Sequence, residues 1–183
     1  MSAEQTPGVV VDRALVSDVP ATQDVFYKTW LSTYPNEQYA VTLEDIEDRF
    51  KDRFSEEKLQ KRRADIENND PNRVIFVARD NATVVGLCRV EKHEGYNQLS
   101  AFYVLPEYQG QGIGLRLWEE AKKNLDMNVK TIVHVVTYNQ KAIDFYTKLG
   151  FKDTGKRFSD DRFRLKSGAV FPEMEMVLEG TQQ

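Results

Sequence analysis

The sequence predicts one mixed α/β domain, and three features carry that expectation. Runs rich in Val, Ile and Thr alternate with segments whose apolar residues recur every three or four positions. Residues 73–79 (RVIFVAR) and 83–91 (TVVGLCRVE) flank Asp80-Asn81-Ala82, which supplies the turn chemistry of a β-hairpin. No repeat or linker divides the 183 residues, a length suited to a single core.

In chain order, residues 1–8 are small and polar and read as a flexible start. The domain is expected over 9–179, and 180–183 read as a flexible end. A first strand is expected at 9–16. A helix follows over 18–31, with Val19, Val25, Phe26, Trp30 and Leu31 near helical spacing, Ser17 or Asp18 as cap and Pro20 in the first turn. Between 42 and 68 charge is dense. Ile46, Phe50 and Phe54 recur every four residues, and Leu59 and Ile66 are seven apart, a narrow apolar stripe on one solvated helix or two. Thr42 with Asp45 three residues on resembles a capping pair. After the hairpin, a third strand at 99–105 is stopped by Pro106. A helix over 113–125 places Ile113, Leu117, Ala121 and Leu125 on one face. Residues 131–137 (TIVHVVT) are nearly all apolar or β-branched and predict a strand buried on both faces. A helix over 139–149 closes at Gly150, a left-handed cap signal. Segments 151–158 and 170–178 complete the sheet.

Composition narrows the function. Lys and Arg number 25 against 29 Asp and Glu, a net charge of −4, which argues against gripping nucleic acid by bulk charge. A mean hydropathy of −0.57 and the lack of a long apolar run argue against a membrane span. The first twenty residues lack the pattern of a secretory signal, so a cytoplasmic location is expected. The single cysteine, Cys88, leaves no disulfide framework or cysteine-cluster zinc site, and no metal is expected. Between Leu87 and Arg89, Cys88 reads as packing.

The chemistry concentrates in Leu105-Pro106-Glu107-Tyr108-Gln109-Gly110-Gln111-Gly112-Ile113-Gly114. A strand ends at a proline, three glycines fall at alternate positions, and a helix begins. Glycines admit a ligand close to the backbone, and the first N–H groups of a helix lack internal partners and lie at the positive end of its dipole. Such a turn cradles phosphate. Its plainer reading is a glycine-rich turn with no ligand. The spacing fits neither the G-x-G-x-x-G dinucleotide fingerprint nor a P-loop ending in Gly-Lys-Ser/Thr.

Gln109-x-x-Gly112-x-Gly114 resembles the Q/R-x-x-G-x-G/A coenzyme A loop of the GNAT superfamily of N-acetyltransferases. About 25 residues on, Val135, Asn139, Ala142, Phe145, Tyr146, Gly150 and Phe151 match that family's V-x-x-x-N-x-x-A-x-x-F-Y-x-x-x-G-F signature at every position. Asn139 and Tyr146 are seven residues apart, about two helical turns or ~10.5 Å, and so share a face. Alone, that pair would read as a helix start plus a core aromatic. The resemblance is tight over residues 97–151 and looser from 9 to 178.

The resemblance implies a central, mostly antiparallel sheet with a splayed parallel pair of strands, flanked by helices. It implies acetyl-coenzyme A as cosubstrate, its pantetheine arm bonded to backbone of Phe102, Tyr103 and Val104. The pyrophosphate would lie on the N–H groups of Gln109, Gly110, Gln111, Gly112, Ile113 and Gly114. Transfer would proceed by direct attack of a neutral amine, with Tyr146 donating to the departing thiolate, Asn139 orienting the cofactor, and a backbone N–H near Phe102 to Val104 polarising the carbonyl. Many relatives carry a base where this sequence has Gln98, which cannot serve. Glu91, His93, Glu94, Tyr103 or a water chain remain candidates, and His134 reads rather as a buried, hydrogen-bonded histidine.

The acceptor is expected between residues 30–39 (WLSTYPNEQY) and 157–175. There, aromatics beside Glu37, Asp160, Asp161 and Glu173 would suit a small cationic amine or a polyamine, in a layout similar to spermidine/spermine-type N-acetyltransferases. A peptide or protein N-terminal amine is the competing acceptor. An acyl-coenzyme A-binding sensor without catalysis is the alternative from another class, and a nucleotide-binding module is a weaker third. A homodimer through edge strands or the final hairpin is also implied by the resemblance.

Overall fold

In the computed structural model, which describes residues 8–181, the elements follow in the order β1 (Val9–Arg13), α1 (Val19–Thr33), α2 (Leu43–Phe50), α3 (Glu56–Glu67), β2 (Arg73–Asp80), β3 (Thr83–His93), β4 (Tyr96–Val104), α4 (Ile113–Lys122), β5 (Lys130–Val136), α5 (Gln140–Lys148), β6 (Lys152–Phe158) and β7 (Glu173–Leu178). The strands form one sheet in the order β1-β2-β3-β4-β5-β7-β6, antiparallel except where β4 meets β5. This is the mixed α/β fold expected from the sequence, with its single parallel pair among the described strands.

Several boundaries differ from the sequence reading. The first strand ends at Arg13, because a short 3₁₀ turn at Val16–Asp18 leads into α1. The dense charged stretch resolves into two helices. Thr42 and Asp45 form a reciprocal capping box on α2, and the Ser55 hydroxyl accepts from Lys58 N on α3. The third strand starts at Tyr96, since Glu94 and Gly95 make a tight turn, Gly95 at φ +78°. Of the expected flexible ends, 1–7 and 182–183 lie outside the described residues, and Thr181 N donates to Met127 O at 2.8 Å. No helix among the described residues is long and apolar enough to cross a membrane.

Both faces of the sheet's centre are covered. Leu87 lies beside Val19 and Phe26 of α1, while the next residue, Cys88, meets the Leu117 carbonyl of α4. Alternation along β3 therefore sends consecutive residues to opposite helices, and β2 and β3 read as near-continuous apolar runs for that reason. Cys88 is fully buried, and burial pushes its thiol up to about 12, which fits a packing role. Gly86 is required by close approach: a Cβ there would sit 3.0 Å from the Tyr103 carbonyl and 3.3 Å from Leu117. A second apolar cluster, with Trp30, Ile46, Val136, Leu165 and Phe171, lies between α1, α2 and the 163–171 loop.

Candidate active site

The site begins where the sheet comes apart. β4 and β5 pair only from Tyr96 to Leu99 against Lys130 to Val133. Asn97, 1% exposed, fastens that short seam by donating to Asp126 O at 2.8 Å and Thr131 Oγ1 at 3.3 Å. One residue beyond the last paired position, the β3–β4 register slips, so that Leu99 faces Val90 and Ala101 faces Arg89 with Ser100 extra. A bulge of this kind bends its strand. β4 turns away from β5, and its inner edge from Ser100 to Val104, including Phe102, Tyr103 and Val104, has no neighbouring strand among the described residues.

At the end of that edge lies the glycine loop. Gly110 and Gly112 have φ of +78° and +77°, the left-handed region that glycine tolerates. Gly112 starts α4 without a side-chain cap. The N–H groups of Gly110, Gly112, Ile113 and Gly114 make no hydrogen bond among the described residues, and open space surrounds the position of a Gly110 Cβ. These are the donors a pyrophosphate needs, and the loop fits it. The Gln109 N–H donates to Pro106 O, and its side chain bonds Val104 O at 3.0 Å, bracing the loop against β4. The Gln111 side chain likewise ties back to Glu107 O at 2.9 Å. Gly114 is small so that α5 can approach, because a Cβ there would sit 3.2 Å from the Phe145 ring.

Asn139 stands just before α5 as its cap, and Tyr146 lies on the helix. The Asn139 side-chain oxygen caps the helix by accepting from Ala142 N at 3.2 Å, which leaves its amide N–H₂ for other partners. Tyr146 is 6% exposed, its ring packed among Phe102, Phe145 and Phe151. Burial pushes its phenol well above the ordinary tyrosine range, so it stays protonated, and its hydroxyl makes no hydrogen bond among the described residues.

On the seam opens a cavity of about 680 Å³, in the range of small-molecule sites. β4 from Gln98 to Ala101, Tyr103, and His134 and Val136 of β5 form its floor. Walls come from α1, α2, α3 and the segment 160–173. Tyr34 and Tyr103 are raised by burial, and their hydroxyls interact.

The base candidates separate here. Glu91 lines the cavity but is held by Arg89 at 3.1 Å, Arg73 at 3.7 Å and the Ser100 hydroxyl at 2.9 Å. His93 stacks on Tyr96, and Glu94 is exposed on the turn; neither lines the cavity. His134 is a correction. It is exposed on the cavity floor 3.5 Å from Glu175, because strand alternation turns it away from buried Val133 and Val135. Partial burial lowers its pKa. The strand is accordingly not buried on both faces. Glu173, which the sequence reading placed only among acids near the acceptor, lines the cavity without an ion pair among the described residues, and burial pushes its carboxyl up to about 7. The expected cation-binding acids are otherwise spent. Asp160 pairs with Arg162 and Asp161 with Arg164, both at 2.5 Å, while Glu37 is exposed outside the cavity.

Comparison with known proteins agrees with this geometry. The family model for the acetyltransferase (GNAT) domain matches residues 31–177. The chain is 33% identical over 86 residues to the uncharacterized protein YrkN of Bacillus subtilis, covering 45% of this chain and 46% of that protein. It is 38% identical over 79 residues to the peptidyl-lysine N-acetyltransferase YjaB of Salmonella typhimurium, covering 43% and 49%. It thus spans about half the length of the curated relatives it matches. The fold is similar to the PaiA N-acetyltransferase of Thermoplasma acidophilum solved with coenzyme A, with a TM-score of 0.68 at 24% identity over 91% of this chain and 97% of that one. It is also similar to YncA of Salmonella typhimurium solved with acetyl-coenzyme A, with a TM-score of 0.62 at 18% identity over 96% and 95%. With the family model spanning most of its length, an uncapped glycine loop and a parted β4–β5 seam, the chain belongs to the GNAT acetyltransferase family.

Proposed function

We propose that the chain is an N-acetyltransferase that moves the acetyl group of acetyl-coenzyme A to a primary amine by direct attack, with no acyl-enzyme. The observation that carries this reading is the parted seam, which joins a phosphate-ready loop at one end to an amine-sized cavity on the floor of β4 and β5. When bound, acetyl-coenzyme A supplies a thioester carbonyl as electrophile. The edge of β4 from Phe102 to Val104 that faces away from β3 offers its N–H groups to the arm and to the oxygen where negative charge gathers. Glu173 takes the proton that the acceptor ammonium must lose. The amine nitrogen then bonds to the carbonyl carbon, the carbon–sulfur bond breaks, the Tyr146 hydroxyl gives a proton to the departing sulfur, and the nitrogen sheds its extra proton to restore that hydroxyl. Asn139 holds the arm through its amide N–H₂.

The cavity volume favours a small amine over a folded protein surface, and the pairing of Asp160 with Arg162 and of Asp161 with Arg164 weakens the case for a polyamine. A cytoplasmic location belongs to the same proposal, and so does a homodimer through an outer strand, β1 or β6. The decisive test is release of free thiol from acetyl-coenzyme A. Release only when a primary amine is added is the expected result. Tight coenzyme A binding with no release across amino acids, polyamines, aminoglycosides and short peptides would instead make the chain a sensor.

A further inference from the structure

The cavity wall is more basic than the chain as a whole. Six of its lining residues are Lys or Arg and three are Asp or Glu, in a protein of net charge −4. Two of those acids are already committed, Glu91 to Arg89 and Asp160 to Arg162. Arg49, on the last turn of α2, differs from the other arginines of the wall. Trp30 lies 5.1 Å from its guanidinium carbon and Phe163 lies 5.0 Å from it, so aromatic rings hold the group. Its N–H donors make no hydrogen bond or ion pair among the described residues. Arg53, by comparison, has Asp24 at 3.5 Å, and Arg62 has Asp65 at 3.7 Å.

A guanidinium has two faces suited to aromatic rings and an edge of five donors that matches a carboxylate or phosphate. Here rings hold the group and no acid among the described residues occupies the edge. Partial burial lowers the Arg49 pKa, as desolvation disfavours a cation without a counter-ion, while Tyr103 nearby opposes that shift. The group still stays charged at neutral pH, as arginine does in proteins. A guanidinium edge on a cavity wall, with no acidic side chain among the described residues on it, is open to the anion of a ligand.

We propose that the acceptor carries an oxyanion, a carboxylate or a phosphate, in addition to its amine, and that Arg49 binds that group while the amine end lies toward Glu173. This rests on the cavity being the acceptor site of an acetyltransferase. The two ends then have separate readers: the caged cation for the anion, and Glu173, without an ion pair among the described residues, for the amine. A polyamine would instead place a second positive charge against Arg49.

Four amines of similar reach test it by thiol release from acetyl-coenzyme A: 4-aminobutyrate, O-phosphoethanolamine, 4-amino-1-butanol and putrescine. The carboxylate or the phosphate amine should exceed the neutral one by about tenfold or more in kcat/KM, the range of a charge-assisted hydrogen bond, and whichever leads identifies the anion. Arg49→Gln should erase that ratio by raising KM, and Arg49→Lys should restore part of it. Putrescine or the neutral alcohol equalling both anionic amines on the wild-type enzyme overturns the proposal and leaves acetyl transfer intact, whether or not the variants fold. Binding is read separately, with no transfer required, from quenching of Trp30 fluorescence by 4-acetamidobutyrate and by O-phospho-N-acetylethanolamine. Quenching lost in Arg49→Gln, with no amine acetylated, would retain the anion site and remove the transferase reading. No quenching by either probe, together with no preference for anionic amines, overturns the anion site.

Discussion

Tyr146 and Glu173 have the same disturbance with opposite consequences. Burial raises both, which keeps the phenol a proton donor and brings the carboxylic acid to the point where it gains and loses a proton near neutrality. Tyr146→Phe is expected to lower turnover by roughly 10²-fold or more while changing acetyl-coenzyme A affinity little, measured by thiol release and by titration calorimetry. Glu173 as a base must be ionised, so the rate should rise with pH and level off above about 7, and Glu173→Gln should lower the rate and flatten that rise. Stability runs the other way. The folded carboxyl titrates at about 7 against an ordinary 4.5, so the folded state favours its protonated form, and stability is lost as pH rises between those values. Glu173→Gln should raise the melting temperature at pH 8 and leave it nearly unchanged at pH 4. Both roles are harder to see in sequence than the residues themselves. Tyr146 sits in a local signature on one helix, whereas the environment of Glu173 is assembled from the turn at Asp160–Arg162 and the floor of β5.

The elements that shape the site are held by a few buried polar groups. Asp45, 3% exposed, accepts from Thr42 N at 3.0 Å at the start of α2, and from Ser167 N at 2.8 Å and Ser167 Oγ at 2.9 Å in the 163–171 loop. Burial alone would raise its carboxyl, but the bonds from Thr42 and Ser167 overcome that and hold it below the usual aspartate range. A lowered carboxylate stabilises the fold above its ordinary pKa, and the benefit fades as pH falls through the lowered value. Asp45→Asn should cost about 1–3 kcal/mol at pH 7, and the gap in melting temperature from wild type should narrow toward pH 3. The capping half of this arrangement is legible in Thr42-x-x-Asp45, because a cap is a matter of three residues. The Ser167 half is not, since it joins positions 122 residues apart. The bulge at Ser100 is hidden for a related reason: the Leu99 to Leu105 stretch reads as one smooth strand, and only pairing with β3 shows the extra residue. The Arg49 cage draws on residues 30, 49 and 163, so no local pattern announces it.

For the whole molecule, ligand binding and stability are linked through the parted seam. Acetyl-coenzyme A at a hundred times its dissociation constant should add about 2.7 kcal/mol, or roughly 5–10 °C in melting temperature for a chain of this size, read by thermal scan. An absence of any shift would contradict binding in the folded state. The overall layout was legible because its strongest signals, the 73–91 hairpin and the Val135 to Phe151 signature, are continuous in sequence and fix most neighbours in the sheet. The seam also has a colloidal consequence. Unpaired strand backbone is a template for other extended chains, and natural sheets usually shield it. Here the row lies inside the sheet from Ser100 to Val104, where a blocking lysine or proline would obstruct the proposed reaction. In the proposed binding mode the cosubstrate doubles as the edge's cover. Protein stripped of it should scatter light and associate sooner on warming below its melting temperature than the same protein held with coenzyme A.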